Sequence, residues 1–278
     1  MEKKIVPIIE SYNVEEEYLY SKSYLYIKGR AQGCNWINVL KALPLARKMH
    51  NGQYRKGTTV VDGKTVHLPY ILHPLKVCST LISLNLPMNN EELDILYTCA
   101  ILHDVLEDAE RYFPKGGIEL VSDYGFPQEV YEIITLLSKH SGADEYELNS
   151  YFNAIKRNKH ALLIKMADRS HNVEDLYNMT VEKLHKYCKE TRRYIYPLSS
   201  YAKQNYPELS DGVTSLKSKI VSLTECTETI IDMYTEKITD LEVITDSLSE
   251  TAKRQKEEIA KYKSEIAKLK KHIKELEG

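Results

Sequence analysis

The final stretch of the chain most constrains the fold, because it contains no residue that breaks a helix. Pro207 and Gly212 are the last such residues before the terminal Gly278. From Val213 onward, apolar residues recur at alternating steps of three and four, which is the a/d signature of a coiled coil. The pattern predicts one continuous helix to the end of the sequence.

The length of this helix predicts its partner. At about 1.5 Å per residue it would reach on the order of 100 Å, too far for one domain of ordinary size to cover its apolar stripe. We therefore expect a homo-oligomer held together by this coiled coil. The alternation shifts where Leu248 is followed by a second step of four, to Ala252, and such a stutter locally unwinds a supercoil. Polar residues that weaken the seam leave a single charged helix as the alternative: Thr227, Lys237, Thr251 and Gln255.

The remainder of the chain divides at residue 35. Residues 1–34 are acidic and rich in tyrosine, show no strong period and form an N-terminal extension without an assigned role. Residues 35–207 alternate helical stretches with turns that contain proline or glycine, which predicts a mostly α-helical domain. The coiled coil then occupies residues 208–278.

A β-hairpin is the one exception to the helical pattern. Residues 57–69 place two β-branched runs around Asp62 and Gly63, and an Asp-Gly pair between such runs is the strongest short-range signal for a hairpin. The fold class predicted for the chain is therefore mostly α: a helical bundle with a small β-hairpin insertion, followed by a long C-terminal coiled-coil helix.

Composition excludes several classes of protein. The formal net charge of −2 gives no global attraction to nucleic acid or to an anionic membrane, so a phosphate-bearing ligand must meet a local cluster of charge. The five cysteines are scattered and form no Cys-x-x-Cys pair, which argues against a disulfide framework and a thiolate zinc site. No window approaches about 18 consecutive apolar residues. We expect a cytoplasmic protein that binds neither membrane nor nucleic acid.

Histidines and acids in three separate segments are the residues best suited to chemistry. They are a lone histidine, a His-Asp pair followed by a Glu-Asp pair, and an aspartate followed by an asparagine: His73, His103, Asp104, Glu107, Asp108, Asp168 and Asn172. On one helix, residues at i and i+4 share a face, so His103 would lie beside Glu107 and Asp104 beside Asp108. The third segment repeats this spacing after an apolar run. Two imidazoles and two carboxylates form a mixed nitrogen and oxygen set that suits Mn²⁺, Fe²⁺ or Zn²⁺.

Four longer motifs surround these residues. They are His-x-Gly-Gln-x-Arg-Lys-Gly at 50–57, Pro-Tyr-Ile-Leu-His-Pro at 69–74, Leu-His-Asp-Val-Leu-Glu-Asp at 102–108 and Ile-Lys-Met-Ala-Asp-Arg-Ser-His-Asn at 164–172. In this order they resemble the hydrolase domain of the Rel/SpoT alarmone enzymes and their stand-alone small relatives, within the HD superfamily of phosphohydrolases. The resemblance covers roughly residues 38–203 and implies that residues 35–207 form an HD-domain helical bundle.

The resemblance also implies a role for each matching position. The Mn²⁺ ligands of the family fall on two histidines and two aspartates: His73, His103, Asp104 and Asp168. Catalytic roles at the attacking water and the scissile phosphate fall on Glu107, Asp108 and Asn172. Substrate binding falls on Arg55, Lys56, Arg169 and His50. The reaction implied is hydrolysis of the 3′-pyrophosphate of ppGpp or pppGpp to GDP or GTP and pyrophosphate, and since nothing after residue 207 resembles a synthetase, degradation without synthesis is expected.

Two alternatives stay open beside this function. The family runs from Arg-Lys to Pro-Tyr-Ile within a few residues, whereas here residues 58–68 intervene beside the expected nucleotide pocket, so the substrate is either an alarmone or another nucleotide phosphoester. The second alternative is a coiled-coil interaction protein that binds nucleotide without turnover. For His50 and His171, a contact with the ligand stands beside an ordinary packing or helix-capping role.

Overall fold

A computed structural model describes residues 14–139, 142–174 and 179–276 and divides the chain into two compact units, Met1–Thr227 and Glu228–Gly278. The predicted mostly helical class with a small hairpin is confirmed. Among the described residues, no helix has both the length and the apolar character that crossing a membrane requires.

Helices make up most of the first unit. Among the described residues, short turns of other helical types accompany them at Glu110–Tyr112, Thr191–Ile195 and Pro207–Leu209. The α-helices are α1 (Val14–Cys34), α2 (Ile37–Met49), α3 (Leu72–Ser83), α4 (Asn90–Leu102), α5 (Val105–Asp108), α6 (Glu119–Ser122), α7 (Gln128–Leu137), α8 (Glu145–Ile155), α9 (Lys159–Glu174), α10 (Val181–Glu190), α11 (Tyr196–Asn205) and α12 (Ser210–Leu276), which continues into the second unit.

Helices α4 and α9 form the centre of the first unit. Every residue of α4 from Asp94 to Leu102 is buried, as expected for a helix that is covered on all sides. A capping box fixes where α4 begins, since the Asn89 side chain accepts from the Glu92 amide and the Glu92 side chain accepts from the Asn89 amide. Helix α9 is buried over most of its length. Side chains near the ends of α4 and α9 therefore project from helices that are packed on most sides and fixed in position.

The hairpin has the predicted turn but begins earlier than predicted. Strand β1 (Tyr54–Val61) pairs antiparallel with β2 (Lys64–Pro69). Asp62 and Gly63 form a two-residue turn, with φ of 48° and 78°, and positive φ at both central residues defines the type I′ turn that suits hairpins. The first strand therefore includes Arg55, one of the predicted substrate residues.

Helix α1 lies within residues 1–34, the extension to which the sequence assigned no role. Its Tyr20, Ile27 and Ala31 are at most 2% exposed and belong to the hydrophobic core. The opposite face carries exposed tyrosines and a leucine, so the two faces differ little in hydropathy and the helical period was not evident. Residues 1–13 lie outside the described residues.

The predicted long tail helix is confirmed as α12, with 67 residues. Its first apolar positions, Val213, Leu216 and Ile220, are at most 1% exposed and pack into the core of the first unit. The first unit accordingly extends to Thr227, later than the predicted domain boundary at residue 207. In the second unit, residues at the same spacing are exposed, with Leu248 at 64% and Leu269 at 62%.

Candidate active site

Three buried residues from separate helices come together in the first unit. His73 lies in the first turn of α3, His103 directly follows α4, and Asp168 lies on α9. Their candidate ligand atoms all lie within 4.8 Å of one another. Ligands at about 2.0–2.2 Å from one ion lie roughly 3–4 Å apart, so this separation is close to what a single metal ion requires.

Asp104, the fourth predicted ligand, adjoins the same group. Its Oδ2 atom lies 3.2 Å from His103 Nε2 and 3.5 Å from His73 Nε2. The Tyr70 hydroxyl donates a hydrogen bond of 2.8 Å to this oxygen. The structure therefore brings all four predicted ligands together and adds Tyr70, which the sequence analysis did not single out although it lies three residues before His73.

The prediction that residues 103–108 lie on one continuous helix is wrong. Helix α4 ends at Leu102 and α5 begins at Val105. Only part of the expected i,i+4 geometry survives, because the Asp108 amide still donates to the Asp104 carbonyl at 2.9 Å. The break places the His103 ring at the end of a buried helix, where its Nδ1 lies 2.9 Å from the Ala100 carbonyl oxygen.

The position of the hydrogen on the His103 ring bears on whether a cation fits the site. A carbonyl oxygen only accepts hydrogen bonds, so His103 Nδ1 carries the proton and Nε2 presents a lone pair in the neutral ring. That Nε2 is buried without a hydrogen-bond partner and faces carboxylate oxygens of Asp104 at 3.2 Å and Asp168 at 4.0 Å. A lone pair and two carboxylates converging in a buried space are the donor set of a divalent metal ion.

His171 supports the ligand His73. The two Nδ1 atoms lie 2.6 Å apart, so one ring donates to the other. Burial lowers the pKa of His73, and burial together with the neighbouring His73 lowers the pKa of His171 to about 2. Both rings are therefore neutral near pH 7. With His73 Nε2 directed at the metal position, its Nδ1–H donates to His171, and such a bond fixes the orientation of a metal-binding imidazole.

Lys165 holds the charge of Asp168, its i+3 neighbour on α9. The Nζ atom lies 3.1 Å from Asp168 Oδ2. Burial alone would raise the pKa of Asp168, but the neighbouring Lys165 ammonium outweighs it and holds the pKa well below its usual range. Asp168 is therefore ionised at neutral pH, as a metal ligand must be. Sequence spacing could have identified Lys165, since residues at i and i+3 meet on a helix.

The predicted catalytic acids lie on α5, beside this group. The Glu107 carboxylate accepts a hydrogen bond of 2.5 Å from the Lys139 backbone amide. Partial desolvation of that carboxylate raises its pKa. Asp108 lies near the Tyr70 hydroxyl, and the negative charges of Asp104 and Asp108 add to burial in raising the pKa of Tyr70. Tyr70 therefore stays protonated and acts as a donor.

A chain of two hydrogen bonds connects the hairpin to the metal position. Arg55 Nη2 donates to Asn172 Oδ1 at 3.0 Å, and Asn172 Nδ2 donates to Asp168 Oδ1 at 2.5 Å. The Arg55 guanidinium also lies 6.0 Å from the centre of the Tyr70 ring. Arg55 and Asn172, predicted separately for substrate binding and catalysis, are thus joined at one edge of the site.

The other predicted substrate residues have different surroundings. Lys56 is exposed, and exposure alternates along β1, so it points to the opposite face from Arg55. Arg169 donates to the Thr191 hydroxyl at 3.2 Å and lies 4.1 Å above the Tyr187 ring. His50 is fully buried, with its ring 4.9 Å from that of Tyr70. Their assignment to substrate binding stays a prediction.

Comparison with known proteins agrees with this geometry. The HD domain family matches residues 70–173. A guanosine-3′,5′-bis(diphosphate) 3′-pyrophosphohydrolase of Haemophilus influenzae is 31% identical over 163 residues, covering 56% of this chain and 21% of that protein. The bifunctional (p)ppGpp synthase/hydrolase SpoT of Escherichia coli is 29% identical over 171 residues, covering 57% and 21%. A probable GTP pyrophosphokinase of Mycobacterium leprae is 25% identical over 195 residues, covering 70% and 22%. The chain thus spans about a fifth of the length of these relatives.

Proposed function

From the premise that residues 70–173 are a domain of the HD superfamily of phosphohydrolases, resembling the hydrolase domain of Rel/SpoT proteins, we propose that this chain removes the 3′-pyrophosphate from guanosine alarmones. The products are GDP or GTP and pyrophosphate. The observation that carries the proposal is the buried group of His73, His103 and Asp168, in which His103 Nε2 faces carboxylate oxygens but has no hydrogen-bond partner among the described residues.

His73, His103, Asp104 and Asp168 hold the metal in this proposal. When bound, a divalent ion supplies Lewis-acid chemistry, which acidifies water and neutralises charge on phosphoryl oxygens. Mn²⁺ is the ion we propose, because the resemblance to Rel/SpoT hydrolase domains implies it and the mixed imidazole and carboxylate ligands suit it.

Glu107 is the base in the proposed reaction. A carboxylate whose pKa is raised takes up a proton more readily near neutral pH, and desolvation raises the pKa of Glu107. The Lys139 amide binds one oxygen, Glu107 Oε1, and so leaves Oε2 to receive the proton of the attacking water. Asp108 assists from the next position of α5.

Arg55 and Asn172 position the nucleotide. A guanidinium can stack on a purine and donate two parallel hydrogen bonds, which a lysine ammonium cannot do. Since Arg55 lies on β1 itself, the inserted hairpin is continuous with this part of the site. Alarmone preference is therefore expected to depend on the hairpin as well as on the metal ligands.

A substrate panel tests the proposal. The full chain with Mn²⁺ is offered ppGpp, pppGpp, ppApp and deoxynucleoside triphosphates, and the products are separated by ion-exchange chromatography. We expect pyrophosphate and GDP or GTP from the guanosine alarmones. Turnover confined to other nucleotides would favour the alternative phosphoester, and tight nucleotide binding without any turnover would favour the interaction protein.

The variant Glu107→Gln separates the base from the ligands. It should retain Mn²⁺ while turnover falls by about 10²–10⁴, the usual contribution of a positioned base. Glu110→Gln, three residues further on, is the matched control and should behave like the unchanged chain. Loss of Mn²⁺ from Glu107→Gln, measured by plasma mass spectrometry, would instead identify Glu107 as a ligand.

A further inference from the structure

The second unit exposes an apolar stripe along one side of α12. Its members recur at steps of three and four after the stutter at Ala252 and are 51–75% exposed: Ile259, Tyr262, Ile266, Leu269, Ile273 and Leu276. Such a row of exposed large apolar side chains is costly in water and marks an interaction surface. The stripe extends over more than two heptads of a continuous helix, so its partner must be elongated as well.

The residue types along the stripe indicate how many strands it joins. The a positions are Ile259, Ile266 and Ile273, and two of the three d positions are Leu269 and Leu276. Isoleucine at a with leucine at d favours two parallel strands, because the β-branched side chain fits the a hole of a dimer and leucine fits the d hole.

Charges beside the stripe indicate the orientation of the strands. The e positions are all lysines and two successive g positions are glutamates: Lys256, Lys263, Lys270, Glu258 and Glu265. All five side chains are exposed. In a parallel pair, each g residue meets the e residue of the next heptad on the other helix, so Glu258 meets Lys263 and Glu265 meets Lys270. In an antiparallel pair, g meets g and e meets e, and every contact would be between like charges.

We infer that residues 258–276 pair in register with the same residues of a second copy as a parallel, two-stranded coiled coil. The facing charges are opposite in the parallel arrangement and alike in the antiparallel one, so the stripe is complementary to itself and the partner is a second copy of the chain. Upstream of the stutter, the seam includes Lys237 and Tyr234 and carries no such e and g pattern, so the last part of the helix sets the register. Pairing in register joins two copies of the chain whether or not either copy is active.

Cysteine cross-linking tests the orientation in the full chain. In a Cys226→Ser background, which removes the described cysteine that is exposed, Leu269→Cys places thiols at equivalent d positions. Mild oxidation should give a disulfide-linked dimer. Ser264→Cys, at an f position on the opposite face, is the matched control and should stay monomeric on a non-reducing gel. An antiparallel pair would leave Leu269→Cys uncrosslinked, and equal cross-linking of both variants would show random collision.

Charge exchange tests the pairing independently of cysteine. Glu258→Lys with Glu265→Lys turns the facing pairs repulsive and should raise the dimer dissociation constant roughly ten- to hundredfold. Adding Lys263→Glu and Lys270→Glu restores opposite charges and should restore the dimer. Asp246→Lys with Glu257→Lys changes net charge equally at outward positions and should have little effect. Sedimentation equilibrium measures the association of the unchanged chain and of the three variants. An unchanged chain that is a monomer or a trimer would overturn the inference. Equal dissociation constants for the variant with lysine at 258 and 265 and the variant with lysine at 246 and 257 would also overturn it.

Discussion

One helix carries the same apolar pattern in two opposite situations. In the first part of α12, Val213, Leu216 and Ile220 are at most 1% exposed. In the second unit, Ile244 is 53% exposed and Leu269 is 62% exposed at equivalent spacing. Steps of three and four therefore predict a helix with one apolar face, but they do not predict which surface covers that face.

The first part of α12 packs closely against its neighbours at Gly212, although glycine is ordinarily regarded as a residue that breaks helices. A side chain at Gly212 would place its Cβ 2.7 Å from Leu86 Cδ2. Glycine here allows α12 to begin in close contact with the connection between α3 and α4. The glycine lies inside the helix, and the cost of about 1 kcal/mol relative to alanine is offset by packing that no local pattern reveals.

The largest difference in effect between the two units is expected when a buried aspartate of the first unit and an exposed aspartate of the second are each replaced by asparagine. Asp168→Asn removes a ligand charge and should lower turnover by at least about a thousandfold, or about 4 kcal/mol of transition-state stabilisation. Bound Mn²⁺ should fall in parallel. Asp246→Asn in the second unit is the matched control and should change neither quantity. Circular dichroism verifies folding, and an Asp168→Asn chain with normal metal content would refute the ligand assignment.

The motifs, and the family that they resemble, predicted the candidate ligands better than they predicted the residues that support those ligands. His73, His103, Asp104 and Asp168 were identified from motifs, and the structure brings them together. The contacts that hold them are mostly distant in sequence, such as the hydrogen bond from Tyr70 to Asp104 and the pairing of His73 with His171, 98 residues away. Contacts of this kind arise from the packing of α3 against α9, so no single segment contains the information that specifies them.

Matched alanine substitutions compare the buried first part of α12 with its exposed part in the second unit. Ile220→Ala creates a cavity in the core of the first unit and should lower its free energy of unfolding by roughly 2–5 kcal/mol. Ile244→Ala should change that quantity by less than about 0.5 kcal/mol, while weakening self-association. Urea unfolding at low protein concentration, monitored through the single tryptophan Trp36 of the first unit, measures both. Equal losses would show that α12 is covered similarly along its length.

A buried histidine, His160, makes the stability of the first unit depend on pH. Burial, with Lys159 beside it, lowers the pKa of His160 from 6.5 to about 4. The unfolded chain therefore takes up the proton first, so stability is lost as pH falls from 6.5 towards 4, and the contribution of His160 to this loss should reach about 2 kcal/mol at pH 5. Urea unfolding with chelator present measures the difference in free energy of unfolding between pH 7.5 and pH 5.0, and this difference should be smaller in His160→Gln than in the unchanged chain. The His272 side chain is 71% exposed in the second unit, so His272→Gln should show the same difference as the unchanged chain.

The smallest effect is expected where a single hydrogen-bond geometry changes and the charge is kept. Arg55→Lys loses the planar fork that reaches Asn172 and, in the proposed complex, the purine. The Michaelis constant for ppGpp should rise about tenfold, which corresponds to about 1.4 kcal/mol. Metal content should stay normal, because Arg55 lies outside the proposed ligand set and is connected to Asp168 through Asn172.

Arg254→Lys provides the exposed counterpart in the second unit, since that guanidinium side chain is 82% exposed and lies 3.8 Å from Glu250. It should leave the Michaelis constant unchanged, because a solvated ion pair of this kind contributes little and lies outside residues 70–173, which contain the candidate metal ligands. A rise in both variants would indicate a general effect of the arginine-to-lysine change. An unchanged Michaelis constant in Arg55→Lys would place the base elsewhere, and the hairpin that begins at Tyr54 would then have no part in nucleotide recognition.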